Sequence, residues 1–312
     1  MTALALPAGR NLLRKPIWVF AAAAVLIFIG IAPHFVSAGN AQNILLQSST
    51  IGFISLGLTV VMINGNIDLS VGSVASLAAS LAVGLQGLGV LPAVIVGIAA
   101  GMLIGLLNGL IVWKSGIDSF IVTLGTMTAV RGVVFLFTQE QSFAAMNLGY
   151  SAFGSSMIGP FPTLGLLFLL CAAGLEFMLL KTVHGRNAYA VGGGRQASMD
   201  AGLKVGWHMT MNFVLSGFFA AIGGIALSTQ LGASTPNMGS GLALWTITAI
   251  VVGGTNWRGG SGNLIGTVGG VLAIAILRNG LDLMHVKSFY VLVVLGVVLI
   301  AALVWDRQLG AS

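Results

Sequence analysis

The stretch VLPAVIVGIAAGMLIGLLNGLIV runs from Val90 to Val112 without one charged residue. As a helix rising about 1.5 Å per residue it is long enough for a hydrocarbon core of roughly 30 Å. A membrane β-strand would alternate polar and apolar side chains over roughly ten residues, and this stretch does not alternate. Within it Gly97, Gly101, Gly105 and Gly109 recur every four residues, which sets them on one helix face where a neighbouring backbone can come close. Packing inside the chain is the favoured reading of that face over a contact between subunits.

Working outward, the rest of the chain divides into similar pieces. Ten spans fit, at residues 17–33, 44–63, 69–88, 91–112, 119–138, 163–180, 207–230, 241–254, 264–281 and 288–305. Composition agrees. Of 312 residues 57% are apolar and only 6% charged, against about 25% charged in an ordinary soluble domain. Too few charges are present to cover a water-soluble globule, and the mean hydropathy is +1.02. The 45 glycines, about twice the usual share, follow no collagen period and read as close helix packing. The expected fold is an all-α integral membrane protein, a polytopic bundle of about ten transmembrane helices forming one domain over residues 1–312. Cys171, the single cysteine, has no partner for an intrachain disulfide and sits among apolar neighbours.

Basic residues set the expected orientation, because Lys and Arg are retained in cytoplasmic loops. With the N-terminus inside, Arg10, Arg14, Lys15, Lys114, Lys181, Arg186, Arg195, Lys204, Arg258 and Arg307 are cytoplasmic and only Lys287 is external. Arg131 and Arg278 fall within spans. Both termini are then cytoplasmic, with 1–16 an N-terminal cytoplasmic segment. The rival is a cleaved signal peptide, since Val36-Ser37-Ala38 resembles a small-residue cleavage site. The external segment 139–162 has no Lys or Arg but carries Phe143, Met146, Leu148, Tyr150 and Phe153, so it is expected to lie on the outer face of the bundle or in a gate. The net charge of +6 is placed at a membrane face and points to no nucleic acid.

Several kinds of chemistry are missing. No G-x-x-x-x-G-K-[ST] motif occurs, so the chain does not cradle ATP phosphates itself. His34, His184, His208 and His285 are scattered, none at metal-ligand spacing from another His, a Cys or a carboxylate, and no metal site is expected. Ionisable residues inside spans are few, and each is a candidate because burying a charge in hydrocarbon costs several kcal/mol. Asp68 reads either as a helix cap for the span that starts beside it or as a transport residue. Arg131 either lines or gates a path or sits in a structural ion pair. Glu176 lies near the inner end of its span, within reach of Lys181. Arg278 and Asp282 form an i, i+4 pair.

Two connections look alike, Asn64-Gly65-Asn66-Ile67-Asp68-Leu69-Ser70-Val71-Gly72 and Gly253-Gly254-Thr255-Asn256-Trp257-Arg258-Gly259-Gly260-Ser261-Gly262. Glycine with amide and hydroxyl side chains suits backbone that leaves helical geometry under protein cover. The long connection 181–206 holds YAVGGGRQASMDAGLKV from Tyr189, a triple glycine followed by a short helix-capable stretch ending at Gly202. By composition it is either a solvated basic loop or a small lateral helix that a partner grips.

At these segments the chain resembles the permease subunits of bacterial ABC importers for ribose, xylose, galactose and related sugars, over roughly residues 17–305. The matching stretches are Asn64–Gly72, Thr123–Gly132, Tyr189–Gly202 and Val252–Thr255 with Gly259, Gly260 and Gly262. The resemblance implies a non-enzymatic translocation subunit in the bacterial inner (cytoplasmic) membrane. It also implies a cytoplasmic ABC ATPase subunit carrying ATP and Mg, a periplasmic solute-binding protein, and a second permease copy or sibling in the lipid bilayer. No cofactor is expected on this chain. The loop 181–206 becomes the segment that docks into the ATPase, with Tyr189, Gly192, Gly193, Gly194, Arg195, Ala201 and Gly202 as its candidate residues. Bulky replacements of Gly193 and Gly202 are expected to uncouple ATP hydrolysis from uptake. Asn64, Asn66, Asp68, Asn108, Thr123, Thr126 and Arg131 are the candidate walls of the substrate path. The alternative is an ion-coupled secondary transporter of a small polar solute, against which the scarcity of midplane acidic groups weighs.

Overall fold

The computed structural model describes residues 16–300 except 288, 295 and 299. The expectations for Arg10, Arg14, Lys15 and Arg307, for nearly all of segment 1–16, and for the end of the last span lie outside the described residues. The chain runs α1 (Pro16–Ile31), α2 (Ala38–Ile63), α3 (Val71–Gly84), α4 (Val90–Ser115), α5 (Ser119–Thr138), β1 (Phe143–Ala144), α6 (Leu148–Gly154), β2 (Met157–Ile158), β3 (Phe161–Pro162) and α7 (Thr163–Lys181). Then follow α8 (Val183–Gly193), α9 (Arg195–Asp200), α10 (Val205–Leu231), β4 (Ala233–Ser234), α11 (Leu242–Val252) and α12 (Leu264–Leu283), with helical residues again from Phe289. The strands are two-residue pairs, β1 with β4 and β2 with β3, both antiparallel.

Among the described residues six helices are long and apolar enough to cross a membrane: α2, α4, α5, α7, α10 and α12. The spans expected at 69–88 and 241–254 are shorter than read. α3 has 14 residues and α11 has 11. Each is flanked on one side by irregular backbone that the protein covers in part: Asp68, ahead of α3, and Thr255, after α11, are buried, whereas Gly65, Gly254, Trp257 and Arg258 are exposed. Internal cover is the condition under which non-helical backbone is tolerated at membrane depth.

α10 is the central helix, packed against α2, α3 and α4. The four-residue glycine face of α4 is what admits it. A Cβ on Gly101 would stand 2.5 Å from the Gly217 carbonyl oxygen, and Gly97, Gly105 and Gly109 meet backbone of Ala78, Phe213 and Thr210 just as closely. This is packing within the chain. Gly266 and Gly270 do the same for α12 against Gly253 and Ala249. Gly262, four residues before Gly266, lies in the preceding loop at φ 151°.

Polarity runs from the inside outward. Leu91, Ile121, Leu136 and Leu170 are all more than 60% exposed, whereas Ser48, Thr59, Asn108, Ser216 and Thr267 are fully buried. Hydrogen bonds join helices at those polar positions: Thr59 and Thr267 share one of 2.9 Å between α2 and α12, and Ser73 Oγ donates to the Met127 carbonyl across 2.8 Å from α3 to α5. Such bonds contribute only about 0.6–2 kcal/mol each in a membrane, so close packing at small residues carries most of the association. Phe53 and Phe168 meet edge to face with centroids 6.1 Å apart, the Phe168 ring seated on Gly52.

The segment 139–162 folds onto the helix ends. The Tyr150 hydroxyl pairs with Ser228 Oγ at 2.6 Å, and Gln86 Oε1 accepts from the Met146 and Asn147 amides. Met146 and Leu148 stay more than 80% exposed at its crest.

Candidate functional site

The irregular backbone before α3 is held by side chains from three other helices. Asp68 Oδ1 accepts from the Ser70 amide (3.0 Å) and hydroxyl (2.6 Å), and its Oδ2 accepts from Ser216 Oγ of α10 (2.7 Å). Asn108 Nδ2 on α4 donates to Ser70 Oγ, and Asn108 Oδ1 accepts from Thr126 Oγ1 of α5 at 2.7 Å. Ser119 and Thr123 take the free Ile67 and Leu69 amides. Asp68, Asn108, Thr123 and Thr126 are therefore brought together, and all but Thr126 are fully buried. Ser70 stands at the N-cap of α3, so Asp68 is not its capping residue but a cross-link from the loop to α10. Nothing in the local sequence signalled Ser216, 148 residues away.

Asn64 and Asn66 belong elsewhere. Asn64 Nδ2 donates to the Ala188 carbonyl of α8 (3.3 Å), and Asn66 Nδ2 donates back to Asn64. They stand at the second cluster, where both glycine-rich connections meet the triple glycine. The Gly260 amide donates to the Ile63 carbonyl across 2.9 Å. A Cβ on Gly192 would collide with Ile63 O and stand 2.6 Å from Gly260 N, and one on Gly259 would stand 2.6 Å from Gly65 Cα. Tyr189 adds its hydroxyl, donating to the Gly262 carbonyl at 2.8 Å. Burial, and after it the negative charge of Glu176, pushes the Tyr189 pKa up to about 12, so it remains a donor at any physiological pH. Glu176 Oε2 accepts from the Leu264 amide (2.8 Å) at the start of α12.

The segment after Tyr189 is more helical than its composition indicated. α8 continues through Gly192 and Gly193 before the chain turns at extended Gly194, and α9 ends ahead of Ala201 and the left-handed Gly202 (φ 79°). Gly193 meets nothing within 4 Å of its Cβ position, and neither does Gly202. Arg195 stacks over Trp113 at 5.4 Å, and Trp113 in turn covers Gly206.

The scattered histidines of the sequence are not all apart. His184 on α8 and His208 on α10 face each other with Nδ1 atoms 2.9 Å apart. His184 Nε2 is 2.8 Å from Asn212 Oδ1, and His208 Nε2 is 2.9 Å from Asn187 Nδ2. One set of neutral tautomers satisfies all three contacts: Asn187 donates to His208 Nε2, His208 Nδ1–H donates to His184 Nδ1, and His184 Nε2–H donates to Asn212. Among the described residues no group of three or more metal-binding side chains forms.

Arg131 is not brought to the buried network. It is half-buried on α5, and among the described residues it makes no hydrogen bond or ion pair, whereas Arg278 pairs with Asp282 at 3.8 Å as its spacing indicated. α5 leaves a stripe of Ile121, Leu124, Gly125, Thr128, Gly132 and Leu136 exposed. At its C-terminal end two open clefts of about 370 and 360 Å³ share Phe135 and Glu140; Ser142, Thr235 and Asn237 line the first.

Helices that expose apolar side chains and bury polar ones define a multi-pass all-α membrane protein. Residues 40–303 match the family described as "Branched-chain amino acid transport system / permease component", and the chain belongs to that family. It is a translocation component and not an enzyme. It is similar to the ribose import permease protein of Bacillus subtilis (strain 168), with 37% identity over 92% of this chain and 90% of the relative. It is also similar to the D-allose transport system permease protein of Escherichia coli (strain K12), 33% identical over 92% and 89% of the two chains. A probable ABC transporter permease protein of Sinorhizobium fredii (strain NBRC 101917 / NGR234) is 32% identical over 92% and 88%. No solved structure matches the chain.

Proposed function

We propose that the chain is the membrane-spanning permease subunit of an ATP-driven importer that moves a monosaccharide or sugar-like solute from periplasm to cytoplasm. The observation that carries this reading is the 37% and 33% identity, over 92% of this chain, to a ribose import permease protein and a D-allose transport system permease protein. The family description names branched-chain amino acids, but the pairwise relatives speak to the solute more closely. Hydroxyl, amide and guanidinium groups on α4 and α5, with the polar clefts beyond Arg131, suit transient contacts to sugar hydroxyls.

In this reading α1, α3, α11 and the helix from Phe289 join the six long helices to make ten crossings, with both termini cytoplasmic in the bacterial inner membrane. A second permease copy or a sibling completes the path along α5. A periplasmic solute-binding protein delivers sugar to the 139–162 side, and a cytoplasmic ABC ATPase, carrying ATP and Mg, docks on 181–206. The exposed side chains of Met199 and Arg186 belong to that docking face. Reconstitution with the ATPase and binding protein tests the reading: ATP-dependent uptake of radiolabelled ribose or allose is expected. Uptake driven by an ion gradient without any ATPase would overturn it.

A further inference from the structure

Three glycine-rich segments that lie far apart in the chain close on one point. Gly192 of α8 packs its backbone against Ile63 O at the end of α2 and against Gly260 N in the loop between α11 and α12. The Gly260 amide is itself bonded to Ile63 O. Gly259 and Gly260 both take left-handed backbone (φ 90° and 77°), and these conformations bring them against Gly65 and Gly193. Side-chain bonds fasten the same joint twice more, from Tyr189 to Gly262 and from Asn64 to Ala188. No methyl group fits at Gly192 without parting the other two segments. Beyond it the side-chain space opens: a Cβ on Gly193 or Gly202 would meet nothing within 4 Å, and one on Gly194 only Ala197 at 3.6 Å.

We propose that Gly192 and Tyr189 are positioning residues of a backbone joint that makes α8 one mechanical piece with the ends of α2 and α11, so that motion imposed on α9 is delivered at once to both irregular loops. In this arrangement α8 is the rigid arm that carries the motion. Two glycines with open side-chain space, half-buried Gly194 and exposed Gly202, bound the short piece α9 that the ATPase moves. Rigid elements with two arrangements, joined by a few residues that absorb the backbone change, are how packed proteins transmit such displacements. The joint links the α2–α3 loop, where Asp68 reaches α10, to the α11–α12 loop, where Glu176 of α7 holds the first amide of α12. This inference rests on the reading of 181–206 as the ATPase-docking segment.

The test uses the assembled importer in proteoliposomes and reads sugar taken up per ATP hydrolysed, a ratio that loss of folded protein alone does not change. For Gly192→Ala a roughly ten-fold fall in that ratio is expected, within the usual span of coupling between sites. Tyr189→Phe removes one hydroxyl without altering volume and is expected to lower the ratio about three-fold, the effect of one hydrogen bond. It serves if Gly192→Ala does not assemble. Gly174→Ala, on a helix face with nothing within 4 Å, is the matched control. An unchanged ratio in Tyr189→Phe, or in an assembled Gly192→Ala importer, overturns the joint. The docking reading has its own arm, Met199→Asp with retention of the ATPase by the tagged permease. If that variant keeps the ATPase fully, the docking reading falls; if it loses the ATPase while Gly192→Ala and Tyr189→Phe couple normally, the joint alone falls.

Discussion

The Gly260 amide reaches the Ile63 carbonyl oxygen across 2.9 Å, so the loop that leaves α11 supplies the donor for an orphan carbonyl at the end of α2. Helix ends carry such unsatisfied groups, and here one end is completed by a residue almost two hundred positions away. The bond requires Gly260 in the left-handed region, at φ 77°.

That requirement separates backbone strain from contact. Gly116 also has positive φ (69°) but stands in open space, whereas a Cβ on Gly260 would lie 2.9 Å from Gly193 Cα. Gly116→Ala is expected to cost about 1–2 kcal/mol from conformation alone. Gly260→Ala adds a displacement of the joint, and its thermal midpoint in detergent should fall clearly below that of Gly116→Ala. Equal midpoints would show that the contact contributes nothing.

Asp68 accepts three hydrogen bonds from Ser70 and Ser216, which makes it a cross-link in the ground state of the fold. Asn at this position can keep its oxygen toward Ser70 and donate its amide to Ser216, whose hydroxyl also accepts. Asp68→Asn is therefore expected to fold and to retain most uptake. Asp68→Leu leaves buried donors unmade at about 1–3 kcal/mol each, and its yield of folded protein should collapse. A folded Asp68→Asn importer devoid of uptake would instead assign the carboxylate a direct part in transport.

How far these features could be read in advance depends on the range of the interaction. Helix length, the glycine face of α4 and the Arg278–Asp282 pair are local, set by hydropathy and by periods of three to four residues, and the sequence displayed them. α3 and α11 are shorter than hydropathy suggests: Leu69, Ser70 and Gly253 look compatible with helix, but distant side chains such as Thr123 and Tyr189 take up the freed backbone groups of irregular loops. The two glycine-rich connections were visibly alike, but that they touch each other and Gly192 is tertiary information. Of the path candidates, Asp68, Asn108, Thr123 and Thr126 do converge, while Asn64 and Asn66 serve the joint and Arg131 stands alone on its face of α5.

Arg131 offers a direct reading of where water goes. An arginine part-exposed on a membrane helix needs water or another chain, because hydrocarbon costs it several kcal/mol. In a Cys171→Ser background, Arg131→Cys is expected to react with a membrane-impermeant thiol reagent, and excess substrate sugar should slow the reaction in the assembled importer. Leu170→Cys, on an exposed apolar face of α7, should not react. Absence of labelling at 131 would exclude a water-filled path along this face.

The two imidazoles that link α8 to α10 make a last prediction, which no single substitution can test. His184 and His208 hold one proton between Nδ1 atoms 2.9 Å apart, and each carries an asparagine on its outer nitrogen. Removing either ring breaks the same central bond, so the two losses overlap at that bond although His184 alone reaches Asn212 and His208 alone reaches Asn187. His184→Ala and His208→Ala are each expected to lower stability, and the double variant should lose about 1–2 kcal/mol less than the sum, the non-additivity typical of residues in one network. Gln at either position offers an amide donor and acceptor on one side only, so it should recover part of the loss for one neighbour and not for both. Strict additivity in the cycle, measured by thermal unfolding of the purified permease in one detergent, would mean that the rings lie side by side without bonding.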